Sequence, residues 1–178
     1  MIIQSEQSEL NGLRAVADLM CIAARTAPKA RGWDLIRTAV IEGDEKRQLA
    51  DEMRRLGREK DIAFFARDAD NLDNSPCVVL IGTAMSPRGV KGCSYCGAAD
   101  CAENAKGQNV CAMVVGDLGI ALGSAAAVAS YHHVDNRMMY SVGKAALSLG
   151  LLGDDVTMAH GFPLSASGKN IFFDRSPT

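Results

Sequence analysis

Four of the six cysteines fall within nineteen residues near the middle of the 178-residue chain. They are Cys93, Cys96, Cys101 and Cys111, spaced C-x2-C-x4-C-x9-C. A C-x2-C pair lets two sulfurs converge on one centre across a tight turn, and Gly97 directly after it lets backbone amides approach the sulfurs. Four thiolates make one complete ligand set. Residues 88–112 are therefore predicted to form a metal-binding segment inserted in the fold.

The spacing alone leaves three alternatives for these thiols. All-cysteine zinc sites usually show two C-x2-C pairs, and this segment has one. Uneven gaps suit a bulkier iron–sulfur cluster, although neither common ferredoxin spacing is reproduced. Unligated thiols are the third alternative. The other two cysteines, Cys21 and Cys77, lie in apolar patterns and are predicted to be small core residues.

Hydrophobic periodicity indicates a mixed α and β chain. The unbroken apolar run Cys77–Gly82 is typical of a strand buried on both faces, which requires helices on each side of a sheet. The predicted elements are a helix over 9–27 that stops before Pro28, a strand over 35–41, a helix ending at Gly57, a helix over 58–69, the strand over 77–82, a helix over 110–131, a helix capped by Asp135-Asn136 and running to Leu149, and a strand over 156–162. The tail after Pro163 is expected to be turn-like, with Ile171-Phe172-Phe173 packed on the body.

The longest apolar stretch, residues 110–131, is long enough to cross a membrane. Asp117 lies inside it, basic flanks are missing, and a single span leaves the other amphipathic helices unexplained, so we interpret it as a long buried central helix. Gly119, Gly123 and Ala127 repeat every four residues along it. This smooth stripe lets another helix approach closely, either within the fold or across a homodimer.

Composition indicates one globular domain spanning residues 1–178. The chain is 48% hydrophobic and 22% charged with a net charge of −2, a balance outside the disordered range. Its Lys and Arg residues are scattered, which argues against nucleic-acid binding. The N-terminus, MIIQSE, lacks the basic start and apolar run of a secretory signal, which predicts a cytoplasmic location. Because that compartment is reducing, the cysteines are expected to be thiols or metal ligands rather than disulfides.

Two groups of residues carry a resemblance to a known family. Cys93-x2-Cys96-Gly97-x3-Cys101 followed by Cys111 resembles the four-cysteine [4Fe–4S] module of several anaerobic corrinoid and electron-transfer proteins. The segments GDLGIA (116–121), GSAA (123–126) and VDNRMMY (134–140) look like those of a prokaryotic family of ferredoxin-domain-containing proteins of unknown function. This resemblance implies that the four cysteines ligate a [4Fe–4S] cluster, and it does not identify a reaction.

A second resemblance concerns the end of the first helix. AARTAPKARGW (23–33), followed by a strand, is similar to the motif after which nitroreductases hold their flavin, and the predicted order of elements fits the nitroreductase-like α+β fold. The resemblance implies that Pro28, Lys29 and Arg31 lie at the edge of a bound FMN. The chain departs from the pattern in lacking an arginine-rich segment before the first helix and in having Arg31 where asparagine is usual. The alternative for Lys29 and Arg31 is a solvated pair of cations at a helix C-terminus.

No catalytic residue is indicated, because the three histidines have no carboxylate or nucleophile at a suitable spacing. Arg88, Lys91 and Lys106 flank the cysteines and are expected to be ordinary solvated surface residues, the alternative being that they offset the charge of a cluster or steer a partner. The leading hypothesis is a [4Fe–4S] redox protein that transfers single electrons, coupled to a flavin or a partner protein. The alternative is a structural or interaction domain stabilised by zinc or a cluster, without redox turnover.

Overall fold

The apolar run at Cys77 forms the strand on which both layers of helices pack. The computed structural model describes residues 1–107 and 109–173. The helices are α1 (Ser5–Thr26), α2 (Gly43–Glu59), α3 (Phe64–Asp73), α4 (Cys101–Lys106), α5 (Ala112–Tyr131) and α6 (Tyr140–Ser148), with a short 3-10 turn at Ala30–Gly32. The strands are β1 (Ile36–Ile41), β2 (Cys77–Ala84), β3 (Asp135–Asn136) and β4 (Val156–Ser165).

The four strands form one antiparallel sheet in the order β1-β2-β4-β3. Every residue of β2 is buried, as the apolar run predicted. Successive side chains of a strand point to opposite faces. Cys77, Val79 and Ile81 belong to the core cluster that includes α1 and α5, whereas Val78 and Leu80 belong to the cluster that includes α2, α3 and α6. The sheet is therefore covered by helices on both sides, which confirms the predicted α+β class.

The long central helix α5 packs one face against α1 and β2. By length and composition it is apolar enough to cross a membrane, a test that the core helix of a soluble protein also passes. Its opposite face, with Gly119, Ile120 and Gly123, is exposed. A methyl group added at Gly119 or Gly123 would meet no other atom of the described residues within 4 Å. The smooth stripe is therefore not used for helix packing within residues 1–107 and 109–173.

Several predicted boundaries were wrong, and the structure gives a local reason for the following ones. Helix α2 passes through Gly57 to Glu59, because Gly57 makes room for the side chain of Phe65 rather than ending the helix. The next helix begins at Phe64 instead of residue 58, after Asp61 takes a positive φ of 54° that a helix does not accommodate.

Asp135 and Asn136 do not cap a helix but pair with Ser165 and Leu164 as β3. Strand β4 runs three residues beyond its predicted end because β2 and β3 supply partners as far as Ser165. In the tail, Phe172 is buried in the second core cluster, as expected, whereas Phe173 is exposed.

Helix α6 approaches strand β4 very closely at Gly143. A methyl group at this position in α6 would collide with the carbonyl of Ala159 in β4. Gly143→Ala is expected to lower the free energy of unfolding by roughly 1–3 kcal/mol because neither backbone can move easily. Chemical denaturation of the two proteins measures this difference.

Gly12→Ala is the matched control, since Gly12 lies in α1 with open space around its Cα. It is expected to leave stability unchanged or to raise it by roughly 0.5–1 kcal/mol. Equal stability of Gly143→Ala and the wild type contradicts the tight packing of α6 on β4.

Candidate metal centre

The four clustered cysteines lie around one cavity in the segment that joins β2 to α5. The cavity has a volume of about 260 Å³. Cys93, Cys96, Cys101 and Cys111 all line it, together with Arg88 and Asn104. The first three cysteines are half-buried and Cys111 is buried. The tertiary structure thus brings together the four thiols that the spacing had selected.

The C-x2-C pair is held in a tight turn whose backbone requires left-handed geometry. Ser94 has a φ of 46° and Gly97 a φ of 84°. The N–H of Gly97 donates to the carbonyl of Ser94 at 3.0 Å, which closes the turn between Cys93 and Cys96. Glycine takes positive φ without steric cost, so Gly97 allows the chain to reverse directly after the second cysteine.

The third cysteine is the first residue of the short helix α4. Asp100 caps this helix, and its Oδ1 accepts from the N–H groups of Ala102 at 2.9 Å and Glu103 at 2.8 Å. The carboxylate of Glu103 in turn accepts from the N–H of Ala99. These bonds satisfy orphan donors at the start of α4 and hold Cys101 toward the cavity.

The fourth cysteine, Cys111, is the residue before α5. Its backbone N–H donates to Sδ of Met85 at 3.4 Å, and its carbonyl accepts the first bonds of the helix from Val114 and Val115. Cys111 is therefore held in place at the start of α5.

The four cysteines line the cavity without forming a compact site for a single metal ion among the described residues. Among residues 1–107 and 109–173, no group of three or more His, Cys, Asp or Glu side chains is close enough to hold a single metal ion. Zinc would require all four sulfurs within about 2.3 Å of one centre. The described geometry does not assemble such a point, and the four thiols instead line the walls of a shared space.

A buried ion pair lies at the base of this cavity. Arg88 is fully buried, and its Nε donates to Oδ2 of Asp117 in α5 at 2.9 Å. Its Nη2 lies 2.7 Å from the same oxygen without hydrogen-bond geometry. Within the described part of the chain, Nη1 of Arg88 has no acceptor. The expectation that Arg88 is a solvated surface residue was wrong, because Asp117 provides it with a buried counter-charge.

Asn104 is a second unsatisfied polar group of the cavity wall. It is 1% exposed, and neither its Oδ1 nor its Nδ2 has a partner among the described residues. Buried polar groups are almost always hydrogen-bonded, since an unmade bond costs the full desolvation of the group. Unpartnered donors of Arg88 and Asn104 beside four thiols fit an anionic, sulfur-rich occupant. The residues present therefore suit an iron–sulfur cluster.

The predicted flavin segment lies on the other side of the ion pair. Oδ1 of Asp117 accepts from the N–H of Ala30 at 2.8 Å. Arg31 has a φ of 60°, stacks on Trp33 at 4.8 Å, and donates from Nη1 to the carbonyl of Arg88 at 3.2 Å. The loop after α1 is thus bonded directly to the cysteine segment.

Lys29 is neither solvated nor free. Its side chain is 4% exposed, and its Nζ donates to the carbonyls of Ala24, Arg25 and Ala27 at the C-terminal end of α1. Pro28 and Arg31, in contrast, are exposed. Of the proposed cation pair at the helix end, Lys29 therefore caps the helix and Arg31 reaches the cysteine segment. Binding of FMN by Pro28, Lys29 and Arg31 stays a prediction.

The remaining two cysteines are core residues. Burial raises the pKa of the Cys77 thiol to about 12, and burial also raises the pKa of Cys21. Both belong to or pack against the first core cluster. A thiol that stays protonated is neither a nucleophile nor a metal ligand. The core position of Cys21 and Cys77 is as predicted, whereas ligation of a metal by the other four cysteines stays a prediction.

Several solved structures with a similar fold are described as FMN-dependent, FMN-bound or flavoprotein structures. The FMN-dependent nitroreductase NfnB of Mycobacterium smegmatis, solved with NADPH, superimposes with a TM-score of 0.60 at 10% identity, over 92% of this chain and 85% of that one. A nitroreductase with bound FMN from Desulfitobacterium hafniense gives 0.58 at 16% identity, over 95% and 81%. A BluB-like flavoprotein of Clostridium difficile gives 0.55 at 15% identity, over 100% and 86%. The fold is nitroreductase-like, as expected.

Sequence similarity identifies the family. The family model described as "Uncharacterized protein containing a ferredoxin domain (DUF2148)" matches residues 107–175. An uncharacterized protein of Archaeoglobus fulgidus is 38% identical over 187 aligned positions, which cover 99% of each chain. The chain belongs to this ferredoxin-domain family, which confirms the resemblance seen in the sequence. The family match includes Cys111, and it begins after the other three cavity cysteines.

Sequence reasoning missed Asn104 as part of the site and favoured a solvated position for Arg88, which the structure buries beside the cysteines. One signal for Arg88 was present, because Asp117 is a lone carboxylate in an otherwise apolar helix and a buried carboxylate needs a cationic partner. Which cation pairs with it was not visible in the sequence, since Arg88 is 29 residues away.

The cap of α4 generates a prediction about how firmly Cys101 is held. Asp100→Ala removes two hydrogen bonds at the start of a six-residue helix and is expected to destabilise it by about 1 kcal/mol. Backbone amides of α4 should then exchange with deuterium severalfold faster than in the wild type. Asp100→Asn keeps the acceptor oxygen and should exchange at nearly the wild-type rate. Unchanged exchange in Asp100→Ala means that the cap does not hold the helix.

Proposed function

We propose that this protein binds a [4Fe–4S] cluster through Cys93, Cys96, Cys101 and Cys111 and acts in one-electron transfer. The single observation that carries the proposal is the cavity that all four thiols line, with unpartnered buried donors beside them. Membership of a ferredoxin-domain family supports a redox role. A reducing cytoplasm, which we propose as its location, keeps such thiols available.

The arrangement of the sulfurs favours a cluster over zinc. A polynuclear cluster takes each thiolate at a different iron atom, so its ligands are spread around a volume instead of converging on a single ion. The four cysteines line a cavity of about 260 Å³, and no three of the described His, Cys, Asp or Glu side chains form a single-ion site. This supports iron and sulfide as the occupants.

The chain's own groups perform distinct tasks in this proposal. The turn at Ser94–Gly97 and the cap at Asp100 fix three thiols, and the start of α5 fixes Cys111. When bound, the cluster supplies a carrier that takes one electron from a reduced donor and gives one to an oxidised acceptor, with no covalent bond of the chain changed. Because three of the cysteines are half-buried, a partner protein can approach this side of the site.

Two alternatives to this function are a structural metal site and a flavin site, and the composition of the purified protein distinguishes them from a redox cluster. Zinc or a redox-inert cluster would order the segment and make the domain an interaction module. Flavin is the other alternative, suggested by the fold that this chain shares with FMN-binding proteins. Since Lys29 is engaged with backbone carbonyls, we assign no step to flavin.

Anaerobic purification tests the proposal. The wild type is expected to be brown, to bleach on reduction, and to contain about four irons and four sulfides per chain. Cys96→Ser should lose most of the iron, whereas Cys21→Ser, which alters a thiol outside the cavity, should keep it. Colourless wild-type protein with one zinc per chain contradicts the proposal. Yellow cofactor released on denaturation would add a flavin to it, and an unchanged spectrum in Cys96→Ser would refute the ligand set.

We also propose that the exposed stripe of α5 joins two copies of the chain. Gly119 and Gly123 line an open apolar groove together with Met138 and Phe173. No other element of the described chain covers the two glycines, and small residues allow a helix to approach closely.

Light scattering of the purified protein is expected to give the mass of two chains. Gly123→Arg, which places a charge in the groove where there is room for it, should give the mass of one chain while the fold is retained. A single-chain mass for the unaltered protein contradicts the homodimer.

A further inference from the structure

We propose that Arg88 is the built-in counter-charge of the cysteine site and sets how easily its occupant is reduced. This inference rests on the proposed function, because it concerns the same cavity. It adds a residue that the cysteine pattern does not identify.

The first step is the charge of Arg88. A guanidinium stays protonated under all ordinary conditions, and here it is fully buried. Asp117 is 4% exposed and neutralises it from one side only, through Nε and Nη2. The Nη1 edge has no acceptor among the described residues, although a buried charged donor without a partner is strongly unfavourable.

The second step is what this edge can bond to. Arg88 lines the cavity with Cys93, Cys96, Cys101 and Cys111, so acceptors brought by an occupant are available to it there. Four thiolates and their metal–sulfur core carry net negative charge, and hydrogen bonds to the sulfurs help to set the potential of such a core. Asn104, whose Nδ2 has no partner in residues 1–107 and 109–173, offers a neutral donor to the same space.

The third step is the direction of the effect. Reduction adds one negative charge to the cavity, and a nearby positive charge in a dry environment stabilises it. Arg88 therefore favours the reduced form and raises the potential. Asp117 opposes this effect, because its negative charge offsets part of the guanidinium charge. Removing the charge of Arg88 is therefore expected to lower the midpoint potential, and removing the charge of Asp117 is expected to raise it.

The test is the midpoint potential of the anaerobically purified proteins, measured by titration with dithionite and followed by electron paramagnetic resonance. Arg88→Met should favour the oxidised form of the bound cluster by at least tenfold, which lowers the midpoint potential by about 59 mV for one electron. Arg88→Lys keeps the charge and should lie close to the wild type. Asp117→Asn keeps an acceptor for Ala30 and should shift the potential upward.

Lys106→Met is the matched control, since Lys106 is an exposed cation on α4 whose charge is screened by water. Its potential should be that of the wild type. If the Arg88→Met protein does not take up iron and sulfide, the potential of Asp117→Asn still tests the role of the Arg88 charge, and an upward shift supports it.

The inference and the proposed function fail in different ways. A wild type that holds iron and sulfide, with unchanged potentials in Asp117→Asn and in any folded Arg88→Met, overturns the role of Arg88 and leaves the cluster in place. A potential for Arg88→Lys as low as that of Arg88→Met also overturns it, because the charge is then irrelevant. A wild type without iron or sulfide overturns both.

Discussion

The ion pair between Arg88 and Asp117 connects the parts of this molecule that matter for its site. Asp117 lies on the buried face of α5, the helix that packs against α1 and the central strand. Its two carboxylate oxygens accept from Arg88 in the cysteine segment and from Ala30 in the loop after α1. Removing one partner of a buried pair leaves an uncompensated charge at a cost of about 3–5 kcal/mol. The position of the cysteine segment therefore depends on the core.

This attachment explains how a segment with little regular structure can hold four thiols in place. Between β2 and α5 the described chain contains only the six-residue helix α4, too short to be stable by itself. Local bonds shape its pieces, as at the Ser94–Gly97 turn and the Asp100 cap. The ends are fixed by rigid elements, since β2 is fully buried and Cys111 directly precedes α5. An occupant of the cavity would join these pieces through their sulfurs.

The nitroreductase-like fold and the cysteine site meet at the loop after α1. In this chain Arg31 donates to the carbonyl of Arg88, so the segment that resembles a flavin-binding motif contacts the segment that resembles a ferredoxin module. Lys29 is used to complete the end of α1 instead of reaching outward. A cation at a helix C-terminus is favourable in any fold, which is why the residue type alone did not distinguish ligand binding from capping.

The sequence by itself determined the elements whose signal is local. The apolar run at Cys77–Gly82 and the apolar stretch at 110–131 predicted a buried strand and a long helix, because burial follows from unbroken hydrophobicity. The spacing of Cys93, Cys96, Cys101 and Cys111 selected the cavity thiols. Tertiary structure alone decided that Arg88 is buried, that the Asn104 side chain lines the cavity with no hydrogen-bond partner among the described residues, and that Asp135-Asn136 forms a strand. Each depends on residues distant in the chain, and charge burial or strand pairing is settled only when those residues are brought into contact.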